Sequence, residues 1–180
     1  MKEEITGRII GIFSRYFLLF LLIILSLYGL FYNLLLNITI YPASAILSSL
    51  FTTSVLNDQI NVLANGHMFI VQIIPACVAV SAYGLFLILN LTTPMGLLKR
   101  AASLLFCFSI LLVFNIIRIA LFSILYINNA YLFNIMHIVF WYFLSIVLVV
   151  GVWWLNVYLF NIKGIPIYED FKYLYSLYKK

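Results

Sequence analysis

Long apolar runs, separated by short polar breaks, make up most of this chain. A helix needs ~20 apolar residues to cross a bilayer. By that count the runs predict four membrane-spanning helices, at about 16–36, 75–91, 97–127 and 135–160. Residues 37–74 are mixed in polarity and separate the first helix from the second. The pattern predicts an all-α integral membrane protein, with residues 1–180 forming one membrane domain that ends in a tail at 161–180.

The composition supports the same class. Of the 180 residues, 66% are hydrophobic and only 8% are charged. A soluble domain of this length cannot hide so much apolar surface in one core, so lipid is the expected solvent. The first apolar run is too long for a removable signal peptide and lacks a small-residue cleavage site, so we expect it to remain as an anchor.

The positive charges predict an orientation. The net charge is +5, and the basic residues cluster at the ends of the predicted helices: Lys2, Arg8, Arg15, Lys99, Arg100, Lys163, Lys172, Lys179 and Lys180. The connections 37–74 and 128–134 contain no lysine or arginine. The positive-inside rule then places both termini in the cytoplasm and those two connections outside a cell membrane. Because the charges lie at helix ends, we read them as orientation signals, and we expect no nucleic-acid partner.

Arg118 interrupts the third apolar run. A charge inside a bilayer costs ~2.5–3.5 kcal/mol on insertion scales, so it usually serves an internal partner, a water-lined cavity or a substrate. Arg118 lies eighteen residues beyond Arg100, or ~27 Å along a helix, in the outer part of a ~30 Å core. Asn115, three residues earlier, lies on the same helix face and is predicted to hold the guanidinium.

Two other chemically able side chains are predicted at the same depth. Cys77 is expected in the first turn of the second helix, where Pro75 starts the helix and its dipole favours a thiolate. His137 is expected in the first turn of the fourth helix. A nucleophile, a fixed cation and a group that exchanges protons near neutral pH are the parts of acyl transfer through a thioester. This chemistry requires neither a metal nor another cofactor.

Each residue also has a structural interpretation. A lone cysteine in a membrane helix is usually a packing residue, which is how we interpret Cys107. His137 alone is more often an interfacial side chain, and His67 is interpreted as a turn residue. Ser81, one turn after Cys77, is either a polar neighbour of the thiol or a helix-packing contact. The two cysteines form no C-x-x-C pair, which argues against a disulfide framework.

The ordered set of these residues resembles the exosortase/archaeosortase family of integral membrane sorting enzymes. The resemblance covers roughly residues 63–160: a cysteine at the start of a span, then Asn115-Ile116-Ile117-Arg118-Ile119, then His137-Ile138-Val139-Phe140. The small size is similar to the archaeal members. The resemblance implies that Cys77 is the nucleophile, Arg118 the stabilising cation and His137 the acid–base group.

The resemblance also implies a substrate. Family members cleave exported proteins at a C-terminal signal, made of a short motif, a hydrophobic helix and a basic tail. They then pass the protein to a membrane lipid or another surface acceptor. The implied activity is therefore that of a membrane-embedded cysteine transpeptidase or protease with its active site facing outside.

Two functions of other classes remain open. Arg118 as a buried charge also suits a small membrane transporter or a non-catalytic membrane subunit whose partner supplies an acid. Signatures of other membrane proteases are missing from the sequence, including His-Glu-x-x-His and Gly-x-Gly-Asp. A transporter is expected to contain inverted repeats or broken helices, and we find no internal repeat.

Overall fold

A computed structural model describes residues 10–14, 16–17, 20–21, 30–93, 95–162, 172 and 175. The chain runs from helix α1 (Leu30–Ser48) through three strands to helices α2 (Val80–Thr92), α3 (Leu97–Asn128) and α4 (Ala130–Val139). A π-helical turn (Phe140–Leu144) joins α4 to α5 (Ser145–Leu159). The structure describes about half of the predicted span 16–36, and most of the predicted tail 161–180 lies outside the described residues.

The segment between α1 and α2 is an antiparallel sheet, so the all-α prediction is wrong. Its strands, β1 (Thr52–Leu56), β2 (Gln59–Ala64) and β3 (His67–Gln72), are paired in sequence order. The side chains alternate, with Ile60, Val62 and Ala64 buried while Leu63 is exposed. This period of two is the pattern of a half-buried strand, and apolar-run counting does not detect it.

Tight turns at polar residues connect the strands. Asn65 and Gly66 both have positive φ, 52° and 78°. Positive φ at both central residues defines the type I′ turn, which matches the twist of a two-stranded hairpin. The first turn contains Asn57, also at positive φ, followed by Asp58.

The prediction of four spans is also wrong. Among the described residues, two helical segments are long and apolar enough to cross a bilayer: Leu97–Asn128 and Ala130–Leu159. Helix α2 has 13 residues, which gives ~20 Å against a ~30 Å hydrocarbon core. It is short because its first turns are replaced by the non-helical residues 75–79.

Helices α2 and α3 form an antiparallel hairpin that carries the core. Buried residues of α3 recur every three or four positions, as in Ser103, Cys107 and Leu111, so one face of the helix is covered. On α2, Tyr83 packs edge-to-face on Phe108, with ring centroids 5.1 Å apart. The same apolar core continues into α1 and the inner face of the sheet.

A buried polar cluster ties α5 to this hairpin. Ser103 Oγ lies 2.6 Å from Asn90 Oδ1 and 2.9 Å from Asn156 Oδ1, and all three residues are fully buried. A hydroxyl has one proton, so it donates to Asn90 and accepts from Asn156 when that amide presents its Nδ2. The cluster links α2, α3 and α5 at the end of the molecule near Arg100.

The π-helical turn interrupts the second long helical segment. Ser145 donates its backbone N–H to Phe140 O, five residues earlier, and its Oγ donates to the same oxygen at 2.7 Å. Such wide turns often lie beside functional sites. Here the turn directly follows the helix that carries His137.

Candidate functional site

Cys77 lies in a turn between β3 and α2. Its N–H donates to Ile74 O at 2.8 Å, and Ala79 N–H donates to Ala76 O at 3.3 Å. Ala79 has φ of +57°, a left-handed conformation that disfavours the continuation of a helix in either direction. The helix therefore starts at Val80, and the prediction that Cys77 lies in its first turn is wrong. Cys77 precedes the helix by three residues, so the dipole argument at Pro75 fails.

Tyr32 of α1 supports the same turn. Its hydroxyl donates to Ile73 O at 2.9 Å. Burial raises the pKa of the Tyr32 phenol, and the negative charges of Asp58 and of a Cys77 thiolate raise it further. The phenol therefore stays protonated and keeps donating to the backbone beside Cys77.

Arg118 holds the other side of the turn. Its Nη2 donates to Cys77 O at 2.7 Å and lies 3.3 Å from Ala76 O. In the described part of the chain the guanidinium has no carboxylate partner, since the carboxylate described there, Asp58, accepts from Gln72 Nε2 at 3.4 Å. The charge is balanced by carbonyl dipoles, and the remaining guanidinium N–H groups have no protein acceptor among the described residues.

His137 is surrounded by aromatic rings. It stacks on Phe133 with centroids 5.4 Å apart and an interplanar angle of 20°. The rings of Phe122 and Trp141 lie 5.7 and 5.8 Å away. These contacts fix the plane of the imidazole, while its nitrogens have no hydrogen-bond partner in the described part of the chain.

Cys77, Arg118 and His137 all line one cavity of about 380 Å³. They arrive from three elements: the turn before α2, the C-terminal half of α3 and the last turn of α4. The prediction that His137 lies in the first turn of its helix is therefore wrong. Cys77 is half-buried, so its thiol is reachable from the cavity. No hydrogen bond joins the Cys77 and His137 side chains within the described coordinates. The cavity brings together a thiol, a cation and an imidazole.

Asn115 and Ser81 line a different cavity. This second cavity has a volume of about 1030 Å³, lies between α2, α3 and α5, and also includes Arg118 in its wall. The Arg118 guanidinium donates to Cys77 O and Ala76 O and makes no hydrogen bond to Asn115 among the described residues, so Asn115 does not hold it. The Asn115 Nδ2 atom is buried and has no partner there. Ser81 is exposed, and the structure does not bring either residue to the cavity with Cys77 and His137.

The remaining candidates have structural positions. Cys107 is fully buried in the core of α3. His67 is the first residue of β3, directly after the Asn65–Gly66 turn, and is exposed. Among the described residues no three His, Cys, Asp or Glu side chains are grouped so as to hold a metal ion.

Sequence reasoning missed part of the cavity wall. The end of β3 and the residues after it, Ile70 to Ile74, line the cavity beside Cys77, and Phe122, Tyr126 and Phe133 close the side near His137. The strand was readable from Asn65-Gly66 flanked by alternating apolar residues. The aromatic set has no such signal, because its members come from two helices and look like ordinary apolar positions.

Comparisons with known proteins add no relative: no protein-family model, curated protein or solved structure matches this chain.

Proposed function

We propose that this protein is a membrane-embedded cysteine transpeptidase of the exosortase/archaeosortase type. It cleaves a C-terminal sorting signal through a thioester and transfers the exported protein to a surface acceptor. The observation that carries the proposal is the shared cavity, into which separate elements bring Cys77, Arg118 and His137. The chain contains only two cysteines and two histidines, and one of each lines this cavity together with Arg118.

Cys77 supplies the nucleophile. His137 takes the thiol proton, through a cavity water, and the thiolate attacks the carbonyl carbon of the scissile peptide. The carbonyl electron pair moves onto oxygen and forms a tetrahedral oxyanion. When this collapses, the C–N bond breaks, the amine leaves with the proton from His137, and the acyl group remains on Cys77 as a thioester.

Arg118 stabilises the charge that develops in this step. Its Nη2 is used by the Cys77 and Ala76 carbonyls, while Nε and Nη1 remain for the thiolate and the oxyanion. A preorganised cation in a site of low dielectric is worth several kcal/mol to such a transition state. The same residue therefore positions the turn and stabilises the reacting atoms.

The second half of the reaction favours transfer. The wall of the cavity is mostly apolar, which limits bulk water around the thioester. An amine or hydroxyl of a membrane lipid or surface polymer gives its proton to His137 and attacks the thioester carbon. The C–S bond then breaks, and the leaving Cys77 thiolate takes the proton back from His137. Hydrolysis by water follows the same path more slowly.

The membrane placement follows from the helices and charges. We propose that α3 and the α4–α5 segment cross the cell membrane as a hairpin, since both are long and apolar enough. Lys99 and Arg100 mark the cytoplasmic end of α3, and the basic residues that follow α5 in the sequence belong on the same side. Arg118 and His137 lie toward the opposite end, so the cavity opens near the outer face. There the signal motif of an exported protein emerges from the bilayer.

Trapping of the thioester tests the proposal. The full chain is co-expressed with each exported protein of its genome that ends in a shared motif, an apolar helix and a basic tail. We expect a covalent adduct at Cys77 that hydroxylamine releases and that accumulates when the acceptor is withheld. A Cys77→Ala variant that still processes the substrate would overturn the proposal.

The alternative functions predict a different result. A transporter or a non-catalytic subunit forms only noncovalent complexes through Arg118, and Cys77 stays unmodified throughout. Mass spectrometry of the purified complex, with and without hydroxylamine, separates these outcomes.

A further inference from the structure

Strand β3 has one free edge, and this edge borders the cavity. In the sheet order β1-β2-β3, the strand pairs with β2 on one side only. Ile70, Val71 and Gln72, its last three residues, line the cavity that contains Cys77. Cys77 follows the end of the strand by five residues. An open strand edge and the candidate nucleophile therefore lie at one site.

The register identifies the backbone groups that point away from the sheet. Because Asn65–Gly66 is a two-residue type I′ turn, the flanking pair Ala64–His67 exchanges both hydrogen bonds. Because the direction of the backbone groups alternates along a strand, the N–H and C=O groups of Phe69 and Val71 also point toward β2. The backbone of Ile73 follows the same alternation, since its N–H donates to Asp58 O at 2.8 Å.

The backbone N–H and C=O groups of Met68, Ile70 and Gln72 point away from β2. Each of the three presents one N–H and one C=O at the free edge, and no strand or helix of the described chain pairs with them there. Such a row of unpaired groups is a template for an added strand. The two faces beside it differ: Met68 and Ile70 are exposed, whereas Phe69 is half-buried against Tyr126, with ring centroids 5.9 Å apart.

We propose that the substrate motif binds as an extended strand along the free edge of β3, by backbone pairing with Met68, Ile70 and Gln72, and reaches Cys77 at its scissile bond. This inference rests on the proposed function for the identity of the peptide. Backbone pairing supplies affinity, and alternate side chains of the motif turn toward the cavity and meet Tyr126 and Phe122. The motif therefore carries apolar side chains at every second position and no proline at the pairing positions.

A tethered peptide tests the edge without requiring catalysis. The probe is an alternating Val/Thr pentapeptide whose terminal cysteine carries a pyridyl disulfide. It attaches to Cys77 of the full-length Cys107→Ala protein by disulfide exchange, with pyridinethione as leaving group. Hydrogen exchange is then measured at each amide of β3. We expect the amides of Met68, Ile70 and Gln72 to slow about tenfold or more, while the already paired amides of Phe69 and Val71 change little.

Two N-methylated probes provide the matched control. One carries methyl groups on the odd amides and the other on the even amides. In a bound strand only every second amide of the peptide faces β3. We therefore expect one probe to lose the hydrogen-exchange protection of β3 and the other to keep it. Equal behaviour of the two probes, or protection in a different part of the chain, would overturn strand addition. Failure of any probe to attach to Cys77 would also overturn it, as would concentration-dependent protection of the same amides without peptide, because the edge would then pair with a second copy.

A pair of variants links the edge to processing. Ile70→Pro removes the outward N–H but leaves the ladder to β2 intact, and Ile70→Ala removes the side chain but keeps the N–H. We expect Ile70→Pro to reduce processing about tenfold relative to Ile70→Ala. Equal processing by both variants, while Cys77→Ala is inactive, would reject the edge and leave the cysteine mechanism standing.

Discussion

The guanidinium of Arg118 contacts the backbone carbonyl of Cys77, with 2.7 Å between Nη2 and the oxygen. The arginine therefore fixes the position of the turn as well as supplying charge. Five N–H groups in a planar fork allow both tasks, because one edge can hold two carbonyls while the other faces the cavity. A lysine ammonium carries its three N–H groups on one nitrogen, so it cannot present donors at two separated edges.

Separate replacement of the two cysteines distinguishes the proposed nucleophile, Cys77, from the packing residue, Cys107. Cys77→Ala is expected to lower processing about 1,000-fold or more, because no other group in the mechanism forms the acyl intermediate. Cys107→Ala is expected to retain most activity and to cost about 1 kcal/mol of stability, since it is buried away from the cavity. Immunoblots of substrate processing, with thermal unfolding in detergent, measure both. Near-normal processing by Cys77→Ala contradicts the mechanism.

Arg118→Lys tests whether the planar guanidinium, with its five N–H groups, is required. A lysine keeps the charge but cannot hold Cys77 O and Ala76 O while also facing the cavity. Loss of a charged hydrogen bond costs ~1.5–3 kcal/mol, so we expect processing to fall about 10- to 100-fold. The labelling rate of Cys77 with a neutral maleimide should rise as the turn loosens. Wild-type processing and labelling in this variant would show that charge alone suffices.

Two substitutions of His137 distinguish proton transfer from packing. His137→Phe keeps a ring against Phe133 and Phe122, whereas His137→Ala removes it. Both should lower processing by about 100- to 10,000-fold, the usual contribution of a general acid–base. Only His137→Ala should also lower the unfolding midpoint, since each lost aromatic contact is worth ~0.5–1.5 kcal/mol. High activity in His137→Phe would assign the histidine to packing.

Ser103→Ala should destabilise the helical hairpin. The variant leaves the buried Asn90 and Asn156 amides without their shared partner, at a cost of about 1–3 kcal/mol. The control is Ser48→Ala, an exposed serine bonded within its own helix, which should change stability by less than about 0.5 kcal/mol. Thermal unfolding in detergent compares the two, and equal midpoints would mean that the cluster contributes nothing.

Reporter fusions test the proposed orientation. A fusion at Gly96, beside Lys99 and Arg100, should read as cytoplasmic, while a fusion at Asn129, between the two long helical segments, should read as extracytoplasmic. The control replaces Lys99 and Arg100 with alanine, which should weaken the preference of Gly96 for the cytoplasmic side. A cytoplasmic reading at Asn129 would remove the argument that the cavity opens outward.

The sequence predicted which residues meet at the site better than it predicted the fold. Cys77, Arg118 and His137 were expected to lie close together, and the three line one cavity. Apolar-run counting treated residues 75–79 as helix, because Pro75 suits a helix start and the left-handed Ala79 leaves no sign in the sequence. The same counting overlooked the sheet, although Asn65-Gly66 between alternating residues is a strong hairpin signal.

The π-helical turn at Phe140–Leu144 determines the direction in which the side chains of α4 face relative to those of α5. His137 and Asn156 both face α3, one against Phe122 and the other against Ser103. They are nineteen residues apart, which in a regular helix leaves them ~100° out of phase. The extra residue of the π-helical turn removes about that angle. Deleting one residue from 140–144 would let the segment close as a regular helix with His137 and Asn156 eighteen residues apart and still in phase, whereas inserting one would turn His137 ~100° away from the cavity if Asn156 stayed in place. This stretch therefore tolerates a one-residue deletion better than an insertion.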